Sequence, residues 1–131
     1  MQYNWTNWGL RITLTTVTGV VCGALCVAAT SKEAERGRDI FEKRCTGCHA
    51  LDKIKVGPPL RAVFGRGAGK DAQFAYSEEL KRSGVTWNEA TLDRWLTDTD
   101  SVVPGNDMAF RLNDAGDRAA IVAYLRQLAE K

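Results

Sequence analysis

The chain of 131 residues is short of what several functional classes require. It has one histidine, His49, and four cysteines. No second Cys/His pair exists to complete a structural zinc site, which needs four ligands. Neither sign of charge dominates: 18 Lys and Arg face 16 Asp and Glu. That balance leaves no footprint for nucleic acid, whose phosphates call for a basic stripe. Aromatic residues make up only 8% of the chain, and large aliphatic side chains are thin after residue 30. A core made from these alone would be small, so a bound apolar group would matter to it. No run alternates apolar and polar residues with period two, and no repeat or low-complexity block is visible. What remains is one domain of the all-α class.

Residues 1–29 stand apart from the rest. Arg11 is their only charge, and the run from Ile12 to Ala29, ITLTTVTGVVCGALCVAA, is small or apolar apart from its threonines. Lys32, Glu33, Glu35, Arg36 and Arg38 follow directly. This is the layout of a secretory signal peptide cleaved near Ala29. The same 18-residue run is also just long enough for an uncleaved membrane anchor. A lipid on Cys22 or Cys26 is a third option, opposed by the bulky Val21 and Leu25 that precede them. A domain over residues 30–131 is expected, on the far side of the inner membrane, in the periplasm or an equivalent compartment. It retains two cysteines, Cys45 and Cys48.

Helical spacing recurs through that domain. Over residues 31–48, Ala34, Gly37, Phe41 and Cys45 share one face. Residues 50–70 carry Gly57, Pro58, Pro59, Gly65, Gly67 and Gly69, which predicts loop. A short helix is expected over residues 77–83, ended by Gly84. Thr86 and Glu89 have the spacing of a capping box for the next helix, whose apolar stripe is Leu92, Trp95 and Leu96. Residues 97–113 predict a second loop centred on Pro104 and Gly105. The last helix starts near Asn113 or Asp114, and its stripe is Ile121, Tyr124, Leu125 and Leu128. Two loops this long are unusual in a small domain. They make sense if they wrap something.

The densest chemistry is Cys45-Thr-Gly-Cys48-His49. A redox dithiol wants a preceding strand, which the helical context does not offer. A zinc site lacks its other ligands. A disulfide between Cys45 and Cys48 would close a small strained ring and leave the histidine unexplained. The pattern C-x-x-C-H is the signature of covalent haem attachment. Each thiol can add to one vinyl group of a porphyrin, and the adjacent His49 can offer Nε2 to the iron. A second axial ligand then has one candidate in the domain, Met108, because Met1 belongs to the leader. A thioether is a soft ligand that raises the potential. Two protein ligands suppress substrate chemistry at the iron and leave one-electron exchange.

With these residues in place, the chain resembles class I cytochrome c, near the mitochondrial and bacterial c2-like branch, over residues 33–128. Gly37 and Phe41 look like the family's first-helix pair. Cys45, Cys48 and His49 match its attachment motif. Val56-Gly57-Pro58 is similar to the segment whose proline carbonyl accepts a hydrogen bond from the proximal histidine. Phe64-Gly65-Arg66 and Phe74-Ala-Tyr76-Ser77 look like the segments that cover the propionates. Trp87 looks like the family's buried propionate-binding tryptophan. Pro104-Gly-Asn-Asp-Met108 is similar to the distal loop, and residues 121–125 to the final helix, which crosses the first. The resemblance implies an all-α fold of about four helices around one covalent haem c and its iron. It implies Cys45, Cys48, Pro58, Arg66, Tyr76 and Trp87 as haem-binding residues, with His49 and Met108 on the iron. It implies a monomeric one-electron carrier without enzymatic activity, serving a donor and an acceptor bound to membranes. A membrane-tethered relay and a haem enzyme or sensor with a labile sixth ligand are the alternatives.

The sequence departs from that pattern in two places. Trp95 stands where the family usually has a tyrosine. Asp98, Asp100 and Asp107 stand where the mitochondrial branch is rich in lysine. Residues 32–82 hold 12 positive and 8 negative side chains, against 5 and 8 from residue 83 onward. Either docking by long-range steering differs from the mitochondrial case, or these charges only solvate the surface.

Overall fold

The structure, a computed structural model, describes residues 21–130. Residues 1–20 of the expected leader lie outside that range. The chain order is α1 (Val21–Arg44), α2 (Glu78–Arg82), α3 (Glu89–Thr97), α4 (Thr99–Val102) and α5 (Ala115–Ala129). The only β-type pairing among the described residues is an isolated antiparallel bridge between Gly67 and Thr86. The class is all-α, as expected. No described helix is long and apolar enough to cross a membrane.

Helix α1 differs from the periodicity reading. Its described part runs from Val21, inside the expected leader, and it stops at Arg44 rather than near Cys48. Residues 45–48 form a turn instead. The N–H groups of Cys48 and His49 both donate to the Cys45 carbonyl, at 3.1 and 2.9 Å. That double acceptance tightens the last turn and swings His49 inward.

The capping box of α3 also moves. Asn88, not Thr86, is the N-cap. Its side chain accepts the Thr91 N–H at 3.0 Å, and the Thr91 hydroxyl accepts the Asn88 N–H at 2.8 Å. Thr86 is already committed to the bridge with Gly67, and its carbonyl accepts the Thr91 hydroxyl at 2.7 Å. The loop expected over residues 97–113 contains α4, capped by the Asp98 side chain at the Asp100 N–H, 3.2 Å away. Four residues are too few for a hydrophobic period to register. Helices α2 and α5 fall where expected, with Ser77 and Asp114 as their N-caps.

Helices α1 and α5 cross at Gly37. A Cβ there would lie 1.9 Å from the Ala120 carbonyl oxygen, so only glycine permits this approach. Ala120 is fully buried, and Phe41 meets Tyr124 edge-on with ring centroids 5.5 Å apart. Helix α3 rests on α5 through Leu92, Trp95 and Leu96, all buried. Arg118 ties the two helices, donating Nε to Asp93 at 2.7 Å and Nη1 to the Leu112 carbonyl at 2.9 Å. The loop over residues 50–76 is held at both ends. Leu60 and Arg61 donate to the Ala50 and Leu51 carbonyls at 3.0 Å, and Gly65 and Ala68 donate to Trp87 and Val85 at 2.7 Å.

Replacing Gly37 by Ala should force α1 off α5. A loss of about 1–3 kcal/mol in chemical denaturation is expected, the usual range for overpacking a core.

Candidate functional site

All eight residues singled out in the sequence line one cavity of about 400 Å3: Cys45, Cys48, His49, Pro58, Arg66, Tyr76, Trp87 and Met108. Sites for cofactors fall between about 300 and 1,000 Å3. The walls are mostly apolar, with Phe41 from α1, Leu92 and Leu96 from α3, and Ile121 and Leu125 from α5. The helices supply the walls, and the two long loops supply the polar groups.

On one wall, the turn after α1 places His49, which is 8% exposed. Its Nδ1–H donates to the Pro58 carbonyl at 2.9 Å, which leaves the lone pair on Nε2. Burial, the largest influence, lowers the imidazole below its ordinary pKa, with nearby Lys55 adding to the effect and the Pro58 bond opposing it. A neutral imidazole at neutral pH is the form that binds metal. Gly57, adjacent in chain, is the floor under the ring. A Cβ there would lie 2.3 Å from His49 Cε1. The Gly57 N–H donates to the Cys48 carbonyl at 2.8 Å, closing the loop onto the turn.

Cys45 and Cys48 are free thiols. Burial raises the Cys45 thiol to about 11, with Arg44 opposing. Such a place suits a neutral sulfur, and a thioether is neutral. Cys48 is exposed, as are Val56, Asp107 and Ala109 among the other lining residues. Among the described residues, no three His, Cys, Asp or Glu side chains converge as a metal site, so zinc finds no cage there.

Met108 also lines the cavity, partly buried and packed against the core. Trp95 lies in the lining, its ring centroid 5.1 Å from that of Trp87 and the rings tilted by 58°. At one end of the lining, Arg66 Nη1 meets Asp71 at 3.5 Å and Nη2 donates to the Pro59 carbonyl at 3.4 Å. Its Nε is buried without a hydrogen-bond partner. A buried guanidinium N–H lacking an acceptor fits an anionic oxygen brought in by a ligand. Tyr76 shares this end, packed edge-on against Phe74 at 4.8 Å. Burial raises its phenol pKa.

A family model described as cytochrome c matches residues 34–129. The chain belongs to the cytochrome c family. Cytochrome c of Tetrahymena pyriformis is 42% identical over 104 residues, spanning 78% of this chain and 94% of that one. Cytochrome c2 iso-2 of Magnetospirillum fulvum is 45% identical over 87 residues, spanning 64% and 91%. The solved structure of cytochrome cH from Methylobacterium extorquens superposes with a TM-score of 0.68 at 40% identity, covering 72% of this chain and 97% of that one. The chain is thus an electron carrier with one covalently attached haem c and its iron, and its partners are redox proteins. The cavity suits that group: apolar walls for the ring, a neutral imidazole and a thioether for the iron, and an orphan Arg66 N–H for a carboxylate.

Sequence reading left the roles of three residues of this cytochrome's site unassigned. Gly57 was named with the Val56-Gly57-Pro58 segment, but not as the surface beneath the His49 ring. Asn106 was named only within the loop that carries Met108, and Thr99 carries no spacing signal, yet both hold the main chain of Met108.

Gly57→Ala should displace the His49 ring from the Pro58 carbonyl. The expected result is a folded protein weakened by about 1–3 kcal/mol in thermal denaturation, with an altered redox titration.

Proposed function

We propose that Cys45 and Cys48 hold the haem through two thioethers, and that His49 Nε2 and Met108 sulfur are its axial ligands. The observation that carries this reading is the convergence of these four residues, from the turn after α1 and the loop after α4, on one apolar cavity. When bound, the iron supplies one-electron exchange between its ferric and ferrous states. The protein's part is to keep that exchange simple. His49 is oriented by Pro58, so its ring does not turn between the two states. The Met108 thioether favours ferrous iron. With both axial positions taken by side chains, no place remains for a substrate, so the protein is a carrier and not an enzyme. Arg66 offsets a propionate through Nε, with Tyr76 and Trp87 beside it at the same end.

Electrons leave and enter at the cavity mouth, where Cys48 and Val56 are exposed. Donor and acceptor are membrane-bound redox enzymes on the far side of the inner membrane. Residues 1–29 act as the export signal, after which a domain beginning near Thr30 works as a monomeric shuttle. The 18-residue apolar run of residues 12–29 allows a second reading, in which the leader stays attached and tethers the domain as a fixed relay.

Met108→Ala should abolish the weak far-red band that a thioether ligand gives ferric haem. It should also lower the potential by on the order of 0.1 V or more, within the ~0.8 V range that axial ligation spans. A visible redox titration of wild type and variant checks both, and an unchanged spectrum removes Met108 from the iron. Mass measurement of the protein from membrane and soluble fractions decides its processing. Loss of about 29 residues is expected for the shuttle, and a full-length chain in the membrane fraction for the relay.

A further inference from the structure

Both main-chain polar groups of Met108 are held by side chains. Its N–H donates to Asn106 Oδ1 at 2.8 Å, and its carbonyl accepts the Thr99 hydroxyl proton. Asn106 is itself anchored, because its Nδ2 donates to the Val103 carbonyl at 2.8 Å. The Thr99 oxygen also accepts the Phe110 N–H, at 3.4 Å. One hydroxyl thus grips the chain on both sides of Ala109.

Thr99 is only 2% exposed. A hydroxyl that deep loses its hydration and is neutral or worse for stability unless its bonds compensate. Helix α4 does not need it, since Asp98 is the N-cap that serves the free N–H of Asp100. What the hydroxyl does serve is the segment that carries Met108.

We propose that Thr99 and Asn106 are positioning residues for Met108: they fix its main chain so that the sulfur stays on the iron. The proposal rests on Met108 being an axial ligand. A ligand on a loop leaves the metal when the loop opens, and such openings are local and far cheaper than global unfolding. Fixing the N–H and carbonyl of Met108 leaves only its side-chain torsions to order when the sulfur binds. The Thr99 hydroxyl therefore sets the fraction of molecules in which the sixth position is open. An added ligand that competes for that position binds with an apparent affinity proportional to that fraction.

The test uses the natively matured holoprotein in its ferric form, titrated with imidazole and followed by the far-red thioether band. Thr99→Val keeps the shape and removes the hydroxyl. It should bind imidazole about tenfold more tightly, the equivalent of one buried hydrogen bond. Thr99→Ser restores the hydroxyl and should lie within about twofold of wild type. Asn106→Ala should also tighten imidazole binding. Thr97→Val is the control: its hydroxyl donates to the Asp93 carbonyl at 2.8 Å on the exposed face of α3, and imidazole binding should not change.

Unchanged imidazole affinity in Thr99→Val, whatever its melting temperature, overturns the proposal. So does a Thr99→Ser protein that behaves like Thr99→Val, because packing and not the hydroxyl would then be responsible. Should Thr99→Val fail to fold, Asn106→Ala decides, and an unchanged affinity there overturns the clamp. A wild-type protein without the far-red band refutes Met108 ligation itself and takes the clamp with it. A wild type that has the band, with unresponsive variants, refutes the clamp alone.

Discussion

The Nδ1–H of His49 donates to the Pro58 carbonyl at 2.9 Å, and the arrangement of the site follows from that bond. It fixes the tautomer, leaves Nε2 with the lone pair, and joins the turn after α1 to a loop nine residues further on. The bond forms only because the chain between its partners folds tightly. Gly57 lets the backbone pass beneath the ring, and its N–H returns to the Cys48 carbonyl at 2.8 Å. Proline contributes twice: its fixed φ stiffens the loop, and the missing N–H leaves its carbonyl as the only main-chain hydrogen-bonding group. In the proposed role of iron ligand, His49 held this way would keep its orientation when the charge on the metal changes, which lowers the rearrangement that electron transfer requires.

The remaining parts set the distance between that imidazole and the opposite wall. Helix α1 can present the turn only where it does because Gly37 lets it touch α5. Helix α5 in turn carries α3 and, through Arg118, the carbonyls of Leu112 and Asn113 just beyond Met108. The Leu112 N–H donates to the Leu96 carbonyl at 2.8 Å, so the Met108 segment is pinned to α3 as well. The two sides of the cavity are therefore coupled through a rigid helix crossing and not through the loops themselves. This is the economical solution for a chain with few large aliphatic residues: glycine and alanine contacts between helices, and aromatic rings around the cavity.

The acidic residues near Met108 divide by role. Asp98 caps α4 and pairs with Arg111 at 2.8 Å, while Asp100 accepts the Gly105 N–H at 3.1 Å in the turn before Met108. Gly105 has φ near +79°, a conformation that glycine adopts without strain. These two carboxylates shape the loop. Asp107 differs, because it lines the cavity and is exposed, as are Arg44 and Val56. The exposed lining thus carries both signs of charge, unlike a uniformly basic ring. Steering toward a partner would depend less on salt than for a surface of one sign.

By itself, the sequence determined the class, the C-x-x-C-H pattern, the one histidine and the one methionine after Met1. Those features were legible because they are local: Cys45, Cys48 and His49 announce their chemistry by spacing, and the stripes of α3 and α5 by period. The C-terminal end of α1, the start of α3 and the existence of α4 were not legible. Each turns on particular hydrogen bonds that spacing does not reveal, or on a helix too short to show a period. Thr86 looked like a cap until its pairing with Gly67 was known. Tertiary structure alone decided that Gly57 lies under His49, that Arg66 Nε is left without a partner, and that Thr99 is buried with its hydroxyl on the Met108 carbonyl. Steric contact and hydrogen bonding act over a few ångströms in space, and residues 49 and 57, or 99 and 108, become neighbours only when the chain between them closes into its native loop.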